Sequence, residues 1–214
     1  MRILLPLCCV ASTSVVAHPH IFIETAVTVV VDDAGAVLGV EVTWVYDDFF
    51  SLLLVEDLGL DPDGDMALQP AELRALEDAV LTWPEGFTGD VWVDGPGGDV
   101  ALAPREDHRV MYDDGRVTEV HFRPLATPVS ATEAVNVRVY DPGYYTAYSV
   151  TGPVELRGPE GCQIWMTPAD LNAAYSLLDE MLYGRPASDV GADEEFPEVG
   201  ASFADTVTVT CSVG

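Results

Sequence analysis

The spacing of apolar residues along the chain alternates between the two-residue period of strands and the longer period of helices. Residues 20 to 31 are rich in β-branched side chains and run into the turn sequence Asp-Asp-Ala-Gly, which predicts a strand followed by a turn. Residues 37 to 46 form a second such run, so the two together predict a hairpin. From Asp90 to Leu156 short alternating runs are separated by Gly, Pro and Asp, which is typical of an antiparallel sandwich or barrel. These runs cover residues 91–93, 100–102, 109–112, 117–122, 135–140 and 148–156.

Three other segments have the apolar spacing of helices. The first follows a capping Asp47 or Asp48, and its apolar stripe is expected at Phe49, Phe50, Leu53, Leu54 and Leu58. The second has Pro70 in its first turn, and its stripe is expected at Leu73, Leu76, Val80 and Leu81. The third follows the capping sequence Thr-Pro-Ala-Asp and has apolar positions at Leu171, Ala174, Tyr175, Leu178 and Leu182.

These elements predict an α+β fold that is mainly β. Residues 18–214 would form one antiparallel β-sandwich-like domain, with a helix-loop-helix insertion at residues 47–83 and a late amphipathic helix. Residues 185–200 are rich in Pro, Gly, Ser and acids, so we expect a loop or mobile linker there. Residues 203–213 predict a closing strand.

The first 17 residues have the features of a cleavable signal peptide. A positive start at Arg2 precedes an apolar stretch, and small residues end at Ala17. The alternative is a buried first strand or helix, but the apolar stretch is too short to span a bilayer. We therefore expect a periplasmic protein that begins at His18 and does not span the membrane after cleavage.

The charge of the chain is strongly negative. It carries 36 Asp and Glu against 9 Lys and Arg, for a formal net charge of -27, and this excess of acids would repel nucleic acid and anionic membranes. Metal ions are the natural partners of such a surface, although an acidic surface suited to a salty environment explains it equally well. Cleavage would leave two cysteines, Cys162 and Cys211, which predict one disulfide in an oxidising compartment or, alternatively, a two-thiol metal site.

A calcium-type loop lies between the first two predicted helices. Residues 61–72 read Asp-Pro-Asp-Gly-Asp-Met-Ala-Leu-Gln-Pro-Ala-Glu and follow the twelve-position EF-hand pattern. The expected oxygen donors to calcium are the side chains of Asp61, Asp63, Asp65 and Glu72, the carbonyl of Ala67 and a water near Gln69. Met66 takes the place of the usual glycine, whose backbone has positive φ there, and a non-Gly residue in that conformation costs about 1 kcal/mol. The alternative is an acidic turn that holds no metal.

Histidines predict a second, transition-metal site. Cleavage before His18 would place a free amine and an imidazole on one residue, and His20 points to the same side of an extended segment. Pro19 has no N–H, so the chelate that uses an amide nitrogen is excluded. Such a site suits copper, nickel, cobalt or zinc. Further candidate ligands are His121, His108, Asp47 and Asp141.

Five motifs occur in an order that resembles a known family. They are His-Pro-His-Ile-Phe-Ile after the signal, residues 43–50, the D-x-D-G-D loop, residues 139–145 and a final Val-Thr-Cys. The chain resembles the bacterial family of domain of unknown function 1007 over nearly the whole mature length. Members are described as periplasmic components of an uncharacterised ABC-type transport system, and they often accompany nickel or cobalt permeases. The resemblance therefore implies a role in handling transition metals, with Met66 as a departure from the family's loop.

Three hypotheses of function follow. The leading one is a periplasmic accessory protein that captures or delivers a transition metal for a membrane transporter, with calcium as a folding clip. The second is a copper redox enzyme that uses the terminal histidine and another such as His121. The third is an interaction module in which calcium only orders the helical insertion. No serine, cysteine or carboxylate constellation supports a hydrolase.

Overall fold

Two β-sheets form the body of the protein in the computed structural model, which describes residues 19–84, 87, 89–190, 194 and 196–212. The predicted signal peptide and His18 lie outside these described residues. The strands are β1 Ile21–Val31, β2 Ala36–Tyr46, β3 Val91–Gly95, β4 Gly98–Asp99, β5 Glu106–Asp113, β6 Arg116–Ser130, β7 Val135–Val139, β8 Thr146–Ser149, β9 Val154–Arg157, β10 Cys162–Thr167 and β11 Thr206–Cys211. The helices are α1 Asp48–Asp57, α2 Pro70–Leu81 and α3 Leu171–Met181. The mainly β prediction is confirmed.

The first sheet has the strand order β5-β6-β2-β1-β8, with β9 also paired to β1, and the second has the order β10-β11-β7-β3-β4. The predicted hairpin of β1 and β2 is confirmed as an antiparallel pair. The other strand pairs are mainly antiparallel, as expected, but β8 and β9 both run parallel to β1, which the prediction did not include. The preceding strand, β7, belongs to the other sheet. The chain therefore returns to the first sheet by a crossover, which alternation of side chains does not reveal.

The main core lies between the two sheets. Alternate residues of β1 and β2, such as Val29 and Val42, pack in one apolar cluster with alternate residues of β7 and β11, such as Val137 and Val209. This is the inward-facing pattern of a sandwich. The disulfide prediction is confirmed, since Cys162 and Cys211 are bonded and stand opposite each other on β10 and β11.

The helices α1 and α2 lie against the outer strands of the first sheet. Leu76 of α2 is fully buried with Val110 and Val117, as its predicted stripe requires. The stripe predicted for α1 is confirmed only at Phe50 and Leu54, which are partly buried. It is wrong at Phe49, which is 66% exposed, and at Leu53 and Leu58, which are also exposed. The buried face of α1 instead contains Ser51, whose Oγ accepts a hydrogen bond from the Val117 amide at 3.0 Å.

A smaller core lies under α3. Asp170 caps this helix by accepting a hydrogen bond from the Ala173 amide, and Leu178 packs with Val190 and Val199. Of the two alternatives expected for residues 185–200, the described part therefore fits a loop, which is held against α3 by Val190 and Val199. Among the helices of the described residues, none combines the length and apolar character needed to cross a membrane.

Candidate metal centre

Strand β6 carries two of the three residues of a buried cluster. Glu119 and His121 are two positions apart, so both side chains lie on the same face of the strand. The same face continues to the buried Arg123, and it is bounded by the buried apolar residues Val117 and Leu125. Glu119 is 1% exposed and His121 is fully buried, so the strand places an acid and an imidazole in the protein interior.

A β-bulge in β5 places the third residue of the cluster, His108, beside Glu119 and His121. Glu106 pairs with Phe122 and Arg109 pairs with Val120, so Asp107 and His108 together stand opposite the single residue His121. Asp107 has a φ of 49°. Bulges of this kind redirect side chains and are frequent beside functional sites. Here the bulge directs the His108 ring toward β6. We call His108, Glu119 and His121 the His–Glu–His centre.

The donor atoms of the His–Glu–His centre lie at the separations of metal ligands. His108 Nε2 is 2.8 Å from Glu119 Oε1, and His121 Nδ1 is 3.4 Å from the same oxygen. One donor atom from each residue lies within 4.8 Å of the other two. Tetrahedral zinc ligands at about 2.0–2.1 Å from the metal are separated by about 3.3 Å. The three side chains therefore fit a divalent transition metal.

The contacts with Glu119 Oε1 at 2.8 and 3.4 Å account only in part for these buried atoms. Both nitrogens of His108, both nitrogens of His121 and Glu119 Oε1 are buried without a partner in hydrogen-bond geometry. Close approach with poor hydrogen-bond angles is expected when several atoms are directed at one shared point. Since buried polar groups almost always have partners, this group requires an explanation.

The ionisation states of Glu119 and His121 also suit a metal. Burial raises the pKa of Glu119, but contacts with His108 and His121 outweigh it and lower that pKa to about 2. Burial lowers the pKa of His121, against the opposing effect of Glu119. At neutral pH the centre therefore offers an ionised carboxylate and a neutral imidazole, which are the forms that bind metals.

Tyr46 and Arg105 complete the surroundings of Glu119. The Tyr46 hydroxyl donates to Glu119 Oε2 at 3.0 Å. Arg105 stacks on Trp83 and its Nη1 is 4.0 Å from Glu119 Oε1. A buried ion network of Glu119 with Arg105 is therefore the competing structural explanation of the cluster. In that network one nitrogen of each histidine faces Glu119 Oε1 without hydrogen-bond geometry, whereas a metal would bind one nitrogen of each ring directly.

A pocket of about 680 Å³ adjoins the centre through Glu119. It lies beside the loop between α2 and β3, and Asp90 and Asp141 line it together with Glu119. The rest of its surface is mainly aromatic and aliphatic. Its aromatic residues are Trp44, Tyr46, Phe50, Trp83, Phe87, Trp92 and Tyr148.

The sequence-predicted ligands of the terminal site have other contacts in the structure. The Asp47 carboxylate accepts hydrogen bonds from the Phe22 and Phe50 amides, so it caps α1. The Asp141 carboxylate accepts from three backbone amides in the turn at residues 143–146. His20 is exposed, and its ring centroid is 4.7 Å from that of Tyr145. The structure groups His121 with His108 and Glu119, and a site at His18 and His20 stays a prediction because His18 lies outside the described residues.

The predicted calcium loop, residues 61–72, is called the acidic loop here. Carboxylate oxygens of Asp61, Asp63 and Asp65 lie within 4.8 Å of one another. Repulsion from Asp65 is the main cause that raises the pKa of Asp63. Met66 has a φ of 61°, which confirms the positive φ expected at the sixth position.

The later positions of the acidic loop contribute to the start of α2. The Glu72 carboxylate accepts a hydrogen bond from the Gln69 amide at 2.7 Å, so it caps α2. The Ala67 amide donates to the Asp65 carboxylate. Glu72 is not part of the group formed by the three aspartates.

Glu119 is the site residue that the sequence analysis missed. The signal was the alternation of residues 117–125, in which Val, Glu, His, Arg and Leu occupy every second position. Charged and imidazole side chains on a face bounded by buried apolar residues predict a polar site inside the fold.

Fold and site together define a class: a two-sheet β-protein with a buried His–Glu–His centre beside an aromatic pocket. The chain belongs to the DUF1007 family, described as "Protein of unknown function", whose family model matches residues 3–211. This membership confirms the resemblance seen in the sequence. A search of curated proteins found no match to the chain.

Proposed function

We propose that this protein is an exported, periplasmic accessory protein that binds a transition metal through the His–Glu–His centre and captures or delivers it for a membrane transporter. The observation that carries the proposal is the set of buried donor atoms without hydrogen-bond partners. Two imidazoles and a carboxylate suit zinc, nickel, cobalt or copper, and intrinsic affinity favours copper.

A site with three protein ligands also suits a metal that is transferred to another protein. A tetrahedral ion held by three side chains keeps one position for water or an incoming ligand. A closed four-ligand site would hold the metal as a structural element. The neighbouring pocket, which shares Glu119 with the centre, gives an approach by which a partner's ligand could reach that position.

In this proposal calcium at the acidic loop acts as a separate clip. Asp61, Asp63 and Asp65 supply clustered carboxylates, with the Ala67 carbonyl, a water near Gln69 and Glu72 as the remaining EF-hand ligands. Calcium would remove the repulsion among the three aspartates and connect α1 to α2. A hard cation bound by oxygen donors does not compete for the softer imidazole site.

Metal titration of the full chain, exported and correctly processed, tests both sites. We expect one cobalt or nickel ion per chain in the chelator-stripped protein, with the visible absorption of tetrahedral cobalt as the spectroscopic signature. His108→Gln and Glu119→Gln should each weaken that binding by about 100-fold or more, since even outer-shell changes cost 10–100-fold. Elemental analysis and competition with a chromophoric chelator give stoichiometry and affinity.

Two variants serve as matched controls. His20→Ala removes an imidazole outside the centre and should leave cobalt affinity unchanged. Asp63→Asn should abolish stabilisation by calcium without affecting cobalt. The proposal is overturned if stripped protein binds no transition metal at micromolar concentration, or if binding survives His108→Gln and Glu119→Gln but is lost in His20→Ala.

A further inference from the structure

The pocket beside the centre contains a buried carboxylate that the proposed metal site does not use. Asp90 precedes β3, is 8% exposed and lines the pocket. Its backbone has a φ of 48°, a conformation that Asp tolerates better than most residues and that is enriched at functional sites. The fold therefore fixes this side chain at the wall of a cavity.

The hydrogen-bond partners of Asp90 leave its charge uncompensated. Its Oδ2 accepts one hydrogen bond, from the Tyr148 hydroxyl at 2.9 Å. Among the described residues, no Arg or His forms an ion pair with it within 4.0 Å, although six other carboxylates have such partners. Burial, the largest effect, raises the pKa of Asp90 to about 7. A cation that entered the pocket would compensate this carboxylate.

The other two acids of the pocket already have partners. Asp141 accepts three backbone hydrogen bonds, and Glu119 contacts His108, His121 and Tyr46. Both nevertheless add negative charge to the cavity. The described lining residues include three acids and no Arg, Lys or His, so the pocket would repel an anion.

The walls of the pocket favour a cation with an apolar body. Seven aromatic residues line it, and indole and phenol rings attract cations through their electron-rich faces. A small inorganic ion would leave most of a cavity of about 680 Å³ empty. Pockets of this size and composition bury drug-sized organic ligands.

We propose that this pocket binds an organic ammonium ion, with the protonated amine at Asp90 and the hydrocarbon body against Trp44, Trp83 and Tyr148. Asp90 would accept a charge-assisted hydrogen bond from the amine. The Tyr148 hydroxyl, which donates to Oδ2, would keep the carboxylate in place. This inference does not rest on the proposed metal function, because neither histidine of the centre is among the described lining residues.

Calorimetric titration of the full chain with three matched probes tests the charge preference. The probes are 2-phenylethylamine, which is a cation at neutral pH, the neutral 2-phenylethanol and the anion 3-phenylpropanoate. We expect the amine to bind at least about ten-fold more tightly than the alcohol, and the carboxylate to bind most weakly. Asp90→Asn should weaken the amine by about 10–100-fold.

The alcohol provides an internal control, because Asp90→Asn should leave its affinity unchanged if the pocket remains folded. Glu133→Gln removes an exposed acid outside the pocket. It should change the affinity for neither the amine nor the alcohol, so it controls for the overall charge of the protein. The proposal is overturned if the alcohol matches the amine, if the carboxylate binds most tightly, if Asp90→Asn leaves amine affinity unchanged, or if no probe binds at millimolar concentration. If His108→Gln still binds the amine, the ammonium pocket stands even where the metal proposal fails. If His108→Gln loses amine binding, the pocket is not independent of the centre and this proposal is overturned.

Discussion

The His–Glu–His centre and the acidic loop each bring three donor side chains within 4.8 Å of one another, but in opposite surroundings. The aspartates of the loop lie within five consecutive residues near the surface, and two of them make hydrogen bonds to the loop's own backbone. The donors of the centre come from two strands and are almost fully buried. Bulk water can satisfy the loop, whereas the histidine nitrogens of the centre need a partner inside the protein, such as a metal or an enclosed water.

The two regions differ in how easily their donors are recognised in the sequence and in the free energy that the donors cost when nothing is bound. Closely spaced acids are visible in the sequence, but such clusters are common in proteins that bind no metal there. Their presence therefore says little about whether a metal is bound. A buried set of unsatisfied donors is invisible in the sequence but costs free energy unless something binds it. The interior site is therefore the stronger indication of function. Substitutions in the two regions should differ widely in their effect on the free energy of unfolding.

The largest expected effect is that of His121→Ala on stability. His121 is fully buried and packs edge-on against Trp44 and Trp83. Removing the ring leaves a cavity and deprives Glu119 of a neighbour, so we expect a loss of about 3–5 kcal/mol in the free energy of unfolding. Urea unfolding with the disulfide intact and a chelator present measures it without any bound metal.

His20→Ala is the matched change on the surface. Its exposed side chain should contribute less than about 0.5 kcal/mol. If the two histidine variants lose the same stability, the ring of His121 is not in the core, and the contrast between interior and surface donors fails.

A change in how stability depends on pH, at its full extent comparable to the loss in His121→Ala, is expected at Asp90, which is buried like the centre but not part of it. Burial, with help from the charge of Asp141 and against the hydrogen bond from Tyr148, raises the pKa of Asp90 from 3.8 to about 7. Between these pH values the folded protein keeps a proton that the unfolded chain releases, so this residue lowers stability as pH rises from about 4 to about 7. Above about pH 7 its contribution is constant.

Asp90→Asn removes this dependence while keeping an acceptor for Tyr148. Its free energy of unfolding, relative to that of the unaltered protein, should rise by about 1.4 kcal/mol per pH unit within the window and then level off. Urea unfolding at several pH values measures the difference, and Glu133→Gln should give a flat line. A flat line for Asp90→Asn as well would mean that the carboxyl titrates normally.

The same contrast explains how much could be predicted from sequence. Local periodicity was sufficient for the hairpin of β1 and β2 and for α2 and α3, and the EF-hand spacing was sufficient for the positive φ of Met66. It was insufficient for the buried face of α1, because Ser51 is buried to bond the Val117 amide, a partner 66 residues away. The parallel pairing of β8 and β9 with β1 also depends on a crossover that no local pattern encodes.

The candidate site divides in the same way. His108 and His121 were both recognised as possible ligands, but nothing in the sequence joined them to Glu119. The bulge at Asp107 decides which way the His108 ring points, and such irregularities depend on the pairing of two strands. Asp47 and Asp141 were further candidate ligands, but both carboxylates accept hydrogen bonds from backbone amides of nearby residues.

The smallest effect is expected from Met66→Gly in the acidic loop. Met66 has a φ of 61° and its side chain is 60% exposed, so glycine removes backbone strain and little packing. Relief of that strain is worth about 1 kcal/mol, partly offset by the greater freedom of glycine in the unfolded chain. We therefore expect a stabilisation of at most about 1 kcal/mol, which corresponds to a rise of about 2–4 °C in Tm.

Met66→Ala separates the relief of backbone strain from the loss of the methionine side chain. Alanine keeps the Cβ, and with it the strain of positive φ, so it should give no stabilisation. Met66→Asn should fall between the two because Asn tolerates positive φ. The order Gly, Asn, Ala measured by calorimetry would show that the loop holds the backbone of an EF-hand despite its methionine. Destabilisation by glycine would show that residue 66 does not take positive φ in solution, and the calcium proposal would then lose the backbone geometry on which it depends.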